Sequence, residues 1–188
     1  MINIPIEISA RHLHVSKEDL DKLFGKNYKL TKKKSLTQAW EFATNETVEI
    51  QSDKGKIKKV RIIAPIRDKT QLEISKTDAF NLGINVPFGH SGKIKGTSGM
   101  VLIGEKGKLK MARGVIIPLR HIHLSPEEAK KNKLKDGQIV SVKVEGKRSI
   151  IFQNILVRIG KDYSFCLHLD VDEGNAAGIK FKSEGKIV

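Results

Sequence analysis

The sequence has one cysteine, few aromatic residues and no long apolar segment, and each shortage excludes a class of protein. The single cysteine, Cys166, excludes a fold held together by disulfide bonds and a zinc site made of four cysteines. The apolar runs, such as residues 114–119, are too short to cross a bilayer. The chain does not open on a basic flank followed by an apolar stretch, so we expect no secretory signal. These absences predict a soluble, cytoplasmic protein.

Acidic residues are outnumbered by basic ones, 21 against 35, which leaves a formal net charge of +14. This charge suggests nucleic acid, because basic proteins gain affinity by neutralising phosphates. However, only 7 of the 35 basic residues are Arg, and aromatic residues make up 5% of the chain. Nucleic-acid readers usually depend on Arg and on aromatic stacking. We interpret most of the charge as a Lys-rich surface, and a basic cleft for a smaller anionic ligand is the alternative.

Internal similarity is the most informative feature of the chain. Its 188 residues suffice for one ordinary domain or two small ones, and 39% hydrophobic residues exclude a disordered chain. Residues 8–19 match residues 117–128: each copy has an apolar run, Arg-His-X-His, and a Ser that can cap a helix with acidic residues in its first turn. Residues 72–84 likewise match residues 167–179. The chain therefore contains two copies of one unit.

Short β-branched runs separated by turn residues fill the rest of both copies and predict strands. Predicted strands cover residues 47–51, 60–63, 71–75, 100–103, 139–144, 149–152, 155–158 and 165–169, and predicted helices cover residues 17–23, 77–82 and 126–132. Many short strands with few helices favour small antiparallel barrels. We therefore predict a mainly β protein with two small β-barrel domains from an internal duplication, each capped by short helices.

Four of the six histidines form two His-X-His motifs at matching places in the two copies. Residues two apart on a strand point the same way, so each motif directs two imidazoles toward one point, as metal ligands require. Alignment of the copies sets Glu73 opposite His168, each in the middle of an apolar strand. Both could instead point outward from a half-buried strand. The predicted metal ligands are His12, His14 and Glu73 at one site, and His121, His123 and His168 at the other.

Three protein ligands for each metal leave coordination positions open, which is typical of catalytic sites. The ligand types favour Zn²⁺, with Co²⁺ or Mn²⁺ as alternatives. His90 has no counterpart in the other copy, and we interpret Cys166 as a core residue. Arg67 follows Pro65 in a turn that leads into the strand of Glu73, so we expect it near the first metal, where its planar fork would suit phosphate. A surface arginine in a turn is the alternative.

These motifs resemble the PduL-type phosphate acyltransferases, a family of phosphotransacylases that includes phosphate propanoyltransferase. The resemblance covers essentially the whole chain. It rests on residues 9–16 (SARHLHVS), 65–67 (PIR), 71–79 (QLEISKTDA), 120–125 (RHIHLS) and 168–177 (HLDVDEGNAA).

The resemblance implies two β-barrels and a dinuclear zinc site with two Zn²⁺ per chain. It also implies that the N-terminal strand joins the barrel of the C-terminal half. The domains would then be residues 11–118, and residues 119–188 plus strand 1–10. The implied reaction is reversible: a short acyl-CoA, acetyl or propanoyl, reacts with phosphate and gives acyl phosphate and CoA.

The resemblance also implies roles for individual residues. The zinc on the first triad would meet the CoA sulfur, and water would complete the shell of the second zinc. Arg67 would be the catalytic residue that binds phosphate. The expected CoA contacts are Ser9, Ala10, Arg11, Lys34, Arg61 and Asn175.

The expected partners are CoA, acyl-CoA, phosphate and acyl phosphate, with no nucleic acid and no membrane. We also expect a homodimer and functional coupling to an acetate or propionate kinase. We expect the chain to lack the N-terminal extension that directs some relatives into bacterial microcompartments, so the expected setting is cytosolic and targeting by assembly is the alternative.

The chain departs from the family pattern in two segments. Ala39 and Trp40 replace a Pro-Gly pair, and an arginine expected near Gly89 is missing. These departures affect the acyl pocket and part of the substrate cleft rather than the metal ligands. The alternative functions are a binuclear zinc hydrolase of thioesters or phosphoesters and a barrel that binds RNA or another polyanion.

Overall fold

Short strands account for most of the regular structure in residues 2–179 and 182–188, the part of the chain that the computed structural model describes. The strands are β1 (Ile2–Ser9), β2 (His12–His14), β3 (Lys32–Ser35), β4 (Phe42–Gln51), β5 (Lys56–Ala64), β6 (Gln71–Glu73), β7 (Phe88–Gly89), β8 (Ser98–Ile103), β9 (Lys108–Pro118), β10 (His121–Leu124), β11 (Ile139–Val144), β12 (Ile150–Ile159), β13 (Cys166–Asp170) and β14 (Lys182–Ile187). The helices are α1 (Lys17–Phe24), α2 (Lys76–Asn81), α3 (Pro126–Asn132) and α4 (Val171–Ala177). No helix of this part of the chain is long and apolar enough to cross a membrane.

The chain divides into two compact units. Unit 1 comprises Met1–Ala10, Thr37–Ala39 and Leu119–Val188, and unit 2 comprises Arg11–Leu36 and Trp40–Pro118. The strand that precedes each His-X-His motif therefore belongs to the unit that does not contain that motif.

Unit 2 is built around a closed ring of six strands in the order β4, β5, β2, β6, β9 and β8. The ring closes because β8 pairs with both β9 and β4. Strand β3 extends the sheet beyond β4, and β7 extends it beyond β9. The inward side chains of these strands and of α1 form one apolar core that includes Leu13, Ile62, Leu72 and Val115.

Unit 1 is also a closed six-stranded barrel, in the order β1, β13, β10, β12, β11 and β14. Its apolar core includes Ile4, Ile6, Ile122, Val157 and Leu167. The prediction of a mainly β protein with two small barrels and short helices is confirmed. Each barrel places its His-X-His strand between a parallel neighbour and an antiparallel one, as expected for copies of one unit.

The barrels were expected to be antiparallel, but each of them also contains parallel strand pairs. Strand β1 is parallel to β13, β2 to β5, β6 to β9, and β10 to β12. A parallel pair needs a crossover connection rather than a hairpin. The chain supplies such connections through its helices and because β1 and β9 each belong to the unit that does not contain the following His-X-His motif. The two strands expected over residues 149–158 are one strand, β12, which continues through Asn154 at a positive φ of 56°.

Each helix begins at the capping residue that the sequence offers. Ser16, Ser75 and Ser125 accept hydrogen bonds from the third backbone N–H of α1, α2 and α3, and Asp170 does the same for α4. The sequence did not predict α4, which contains a glycine. A Cβ at Gly174 would lie 2.4 Å from Ile8 Cδ1, so glycine lets the helix pack closely on β1.

Candidate functional site

The first histidine pair lies on β2, between β5 and β6 in unit 2. Leu13 is buried in the barrel core, so His12 and His14 share the other face of the strand. The antiparallel register of β2 and β6 sets Glu73 directly opposite His12. His12 Nε2 lies 3.1 Å from His14 Nε2 and 3.6 Å from Glu73 Oε2. The structure therefore brings the three residues of the first predicted triad together.

The two distances measured from His12 Nε2 are compatible with a single metal ion, and all three ligand atoms lie within 4.8 Å of one another. Ligand atoms bound tetrahedrally to zinc at about 2.0–2.1 Å lie about 3.4 Å from one another. The observed distances of 3.1 and 3.6 Å bracket that value. Two imidazoles and one carboxylate also form a ligand set that zinc accepts, with a coordination position left for water or substrate.

The surroundings of His14 favour the neutral form of its ring, the form that binds a metal. Burial lowers the pKa of His14 well below its usual value, and the nearby His12 and Arg67 lower this pKa further. A lowered pKa favours the uncharged ring at neutral pH. A neutral imidazole keeps the lone pair that a metal ion requires.

Gln71, on the same strand as Glu73, fixes the orientation of the triad's carboxylate. Gln71 Nε2 donates to Glu73 Oε1 over 2.6 Å and to Ser91 Oγ over 2.9 Å. Gln71 Oε1 accepts from the backbone N–H of Gly92 at 2.7 Å. With Oε1 held by Gln71, Oε2 is the carboxylate oxygen that faces His12. We did not predict Gln71 as a site residue, although it stands two positions before Glu73 and so on its side of the strand.

The second triad repeats this arrangement in unit 1. His121 on β10 lies directly opposite His168 on β13, and Ile122 between the two histidines of β10 is buried. The ring of His168 lies 5.2 Å from that of His121 and 5.0 Å from that of His123, measured between centroids. One ring nitrogen from each of the three lies within 4.8 Å of the others. This triad has three imidazoles and no carboxylate, so it adds no negative charge to a bound cation.

Gln38 and Tyr163 contact the second triad, and sequence reasoning missed both. Gln38 exchanges two hydrogen bonds with the backbone of Ser164, at 3.0 and 3.2 Å, and its amide nitrogen lies 3.3 Å from His168 Nε2. The ring of Tyr163 stacks on His123 with centroids 4.0 Å apart. These contacts hold two of the triad's imidazole rings in place.

Cys166 and His90 lie outside both triads. Cys166 is buried on β13, and its sulfur joins Glu7 and His168 in a further cluster of potential ligand atoms within 4.8 Å. His90 lies in the loop after β7 and belongs to neither triad.

Arg67 lies close enough to the first triad to lower the pKa of His14. Its Nη2 donates to Glu41 Oε1 at 2.9 Å, and its Nη1 donates to Ser91 Oγ at 3.3 Å. Its guanidinium carbon lies 6.0 Å from the ring of Trp40.

Arg67 also borders a cavity of about 420 Å³ in unit 2. This cavity is lined by Arg67, Asp68, Lys69, Gln71, Gly92 and Ile94.

An arginine before each His-X-His motif is tied to the helix that follows the third ligand. Arg11 makes a two-point ion pair with Asp78, at 2.7 and 2.8 Å, and Asp78 also closes the capping box of α2. In unit 1, Arg120 pairs with Glu173 at 2.7 Å, and Glu173 closes the capping box of α4. Each pair links the start of a His-X-His strand to the helix that follows the third residue of the same triad.

The residues predicted to contact CoA divide between the two units. Unit 1 contains Ser9, Ala10 and Asn175, and unit 2 contains Arg11, Lys34 and Arg61. Arg61 lies beside His12 across the β2–β5 pair, and its Nη1 donates to the carbonyls of Thr44 and Asn45. Lys34 is exposed on β3, and Asn175 is exposed on α4.

Comparison with known proteins gives one consistent result. A family model described as "Phosphate propanoyltransferase" matches residues 5–180. Proteins with that name from Thermotoga maritima, Enterococcus faecalis and Lachnoclostridium phytofermentans are 47%, 42% and 45% identical to the chain. The matches cover 93%, 97% and 94% of this chain and 83%, 87% and 83% of the three relatives.

Proposed function

Because the chain belongs to the phosphate propanoyltransferase family, we propose that it transfers a short acyl group, acetyl or propanoyl, reversibly between coenzyme A and inorganic phosphate. The observation that carries this proposal is the repeated ligand triad, one in each barrel, with Arg67 beside the first. A triad that leaves coordination positions open suits catalysis rather than structural support.

We propose that each triad holds one zinc ion, with the six ligands that the sequence predicts. A bound zinc would supply a Lewis acid that stabilises a leaving thiolate and negative charge developing on oxygen. Glu73 would offset part of the charge of a cation at the first triad, where Gln71 fixes the orientation of its carboxylate. Within each unit, the strand register keeps the ligands together.

Arg67 is the residue proposed to bind phosphate. Phosphate is already anionic at neutral pH, so it needs orientation more than deprotonation. The guanidinium offers paired N–H groups that match two phosphate oxygens, and it borders a cavity with room for such an ion. Ser91 and Trp40 support the orientation of the guanidinium.

The same proposal assigns CoA to the six predicted contacts, Ser9, Ala10, Arg11, Lys34, Arg61 and Asn175. The ion pair of Arg11 with Asp78 leaves the Arg11 side chain 40% exposed, so it can still meet a CoA phosphate. We also propose that residues 11–118, and residues 119–188 with strand 1–10, act as the two domains of the enzyme. A homodimer and coupling to an acyl kinase complete the proposal.

The direct test measures loss of the acetyl-CoA or propanoyl-CoA thioester with and without inorganic phosphate. We expect the reaction to require phosphate, to yield acyl phosphate, to stop after chelation and to return with Zn²⁺ or Co²⁺. Thioester loss that is independent of phosphate would instead identify a hydrolase. Binding of RNA that survives chelation, without acyl transfer, would favour the polyanion-binding alternative.

Arg67→Ala tests the phosphate assignment separately. We expect the KM for phosphate to rise about 10- to 100-fold, the effect of losing a charge-assisted contact. The metal content measured by mass spectrometry should equal that of the wild type. Loss of metal in the variant would mean that Arg67 supports the triad rather than phosphate.

A further inference from the structure

The guanidinium of Arg67 already has an anionic partner. Glu41 Oε1 accepts from Arg67 Nη2 at 2.9 Å, and the two side chains are only 15% and 26% exposed. Ser91 and Trp40 contact the same guanidinium. The Arg67–Glu41 ion pair is therefore a partly buried contact in which both groups have lost much of their hydration.

Arg67 stabilises the carboxylate of Glu41 by a direct ion pair in a partly buried position. Burial raises the pKa of Glu41 above its usual value, and the nearby Glu73 raises it too, whereas Arg67 and His12 act in the opposite direction. A phosphate at Arg67 would engage the cation that stabilises Glu41 and would add negative charge next to it. Phosphate and the Glu41 carboxylate consequently compete for one guanidinium.

We propose that Glu41 is an internal competitor of phosphate at Arg67 and thereby sets the phosphate concentration at which the enzyme works. The inference rests on the proposed function, which assigns phosphate to Arg67. The cavity bordered by Arg67 gives an ion access to the guanidinium. Glu41 thus determines affinity for the inorganic substrate rather than acting on the acyl group.

Glu41→Gln removes the charge and keeps an oxygen that can accept from Arg67. We expect the KM for phosphate to fall about three- to tenfold, because a like charge close to the bound anion is removed. The KM for acyl-CoA should stay at the wild-type value. Calorimetric titration of the protein with inorganic phosphate should show the same gain in affinity without turnover.

Glu49→Gln is the matched control. It removes one negative charge from a half-buried glutamate on β4 whose ion-pair partner is Lys58 rather than Arg67. We expect its phosphate affinity to equal that of the wild type. Glu41→Ala serves as the second variant: it should also bind phosphate more tightly, and thermal unfolding shows whether each variant is folded.

Unchanged or weaker phosphate binding by folded Glu41→Gln and Glu41→Ala would overturn the inference and leave Glu41 as a support for Arg67. This result would differ from failure of the proposed function. The proposed function is tested on the wild type alone, by whether its acyl transfer requires phosphate. A parallel titration of Arg67→Ala identifies the site: binding that persists in this variant would place phosphate elsewhere and overturn the inference as well.

Discussion

At the scale of single residues, the two oxygens of Glu73 have different partners. Oε2 faces His12, whereas Oε1 accepts from Gln71, which is 2% exposed and also holds Ser91 and Gly92. A carboxylate with a fixed orientation loses less entropy when a metal binds. Gln71 is therefore a positioning residue for the first triad.

Gln71→Ala should weaken zinc binding at the first triad about 10- to 100-fold, as removal of a group that orients a metal ligand typically does. The measurement is a competition titration with a coloured chelator. Gln153→Ala is the control, because its side chain is exposed on β12 in the other unit. Equal zinc affinities for the wild type and Gln71→Ala would mean that Glu73 needs no support.

The sequence predicted residues that share a motif better than residues that meet only in the fold. Gln71 could have been found, because it stands two positions from Glu73 on a strand. Gln38 could not, because its partner Ser164 lies 126 residues away in the chain. Glu41 could not be predicted for the same reason, since its pairing with Arg67 depends on the register of β4 and β5 rather than on any local sequence pattern.

At the scale of elements, a buried carboxylate fastens the segment before β3 to β4. Glu46 on β4 accepts from the Tyr28 hydroxyl at 3.2 Å and from the hydroxyl of Thr31 at 2.7 Å, and the backbone N–H of Thr31 adds a bond at 3.1 Å. Burial opposes ionisation of Glu46, but hydrogen bonds from Thr31 and neighbouring backbone groups outweigh it and lower the pKa. The ionised form therefore stabilises this part of unit 2.

Glu46→Gln should lower the free energy of unfolding by about 1–3 kcal/mol at neutral pH, the usual cost of losing hydrogen bonds to a charged group. A lowered folded-state pKa gives stability that is present above the unfolded pKa and is lost as pH falls through the folded value. The difference between wild type and variant should thus shrink in acid. Urea unfolding at several pH values measures it, and a difference that is constant with pH would contradict this account.

The arginine that precedes each His-X-His motif connects a ligand strand to a helix cap, and this pairing occurs in both units. In unit 2 the pair is asymmetric, because Asp78 is 1% exposed whereas the Arg11 side chain is 40% exposed. A carboxylate buried this deeply needs its partner. The same carboxylate accepts from the backbone N–H of Ser75 in the capping box of α2.

Asp78→Ala should destabilise the protein by about 1–3 kcal/mol, because the capping box of α2 and charge-assisted hydrogen bonds are lost while the remaining Arg11 side chain is 40% exposed and can be solvated. The loss should be accompanied by weaker metal binding at the first triad, since the residue before β2 loses its link to α2, the helix that follows Glu73. Lys76→Ala, an exposed change on the same helix, should stay within about 0.5 kcal/mol of the wild type. Urea unfolding compares the three proteins.

At the scale of the whole molecule, the duplication was visible in the sequence, but which strands complete each barrel was not. Similarity between copies shows which segments correspond, and it does not show which segments are in contact. Strand β1 precedes the first His-X-His motif yet pairs with β13 and β14, and β9 precedes the second motif yet pairs with β6 and β8. Only the resemblance to the family suggested the exchange of the N-terminal strand.

The exchange predicts unequal behaviour of the two halves as fragments. Residues 11–118 contain all six strands of the unit 2 barrel, whereas residues 119–188 contain five strands of the unit 1 barrel and lack β1. Without β1, strands β13 and β14 would each expose an unpaired edge, and the core would lose Ile4 and Ile6. We expect fragment 11–118 to unfold cooperatively on heating and fragment 119–188 to show no cooperative transition.

Adding a peptide of residues 2–10 should restore folding of fragment 119–188, because the peptide can pair with β13 and β14 at once and bury both isoleucines. Full burial of each of these side chains contributes about 1.5–3 kcal/mol to stability. Backbone pairing with β13 and β14 fixes the register of the peptide. The same peptide with Ile6→Asp is the control and should not restore folding, since it would bury an unpaired carboxylate. Circular dichroism and amide dispersion in NMR spectra follow the transition. Cooperative unfolding of fragment 119–188 without peptide, or equal rescue by the control peptide, would show that the unit 1 barrel does not depend on the N-terminal strand.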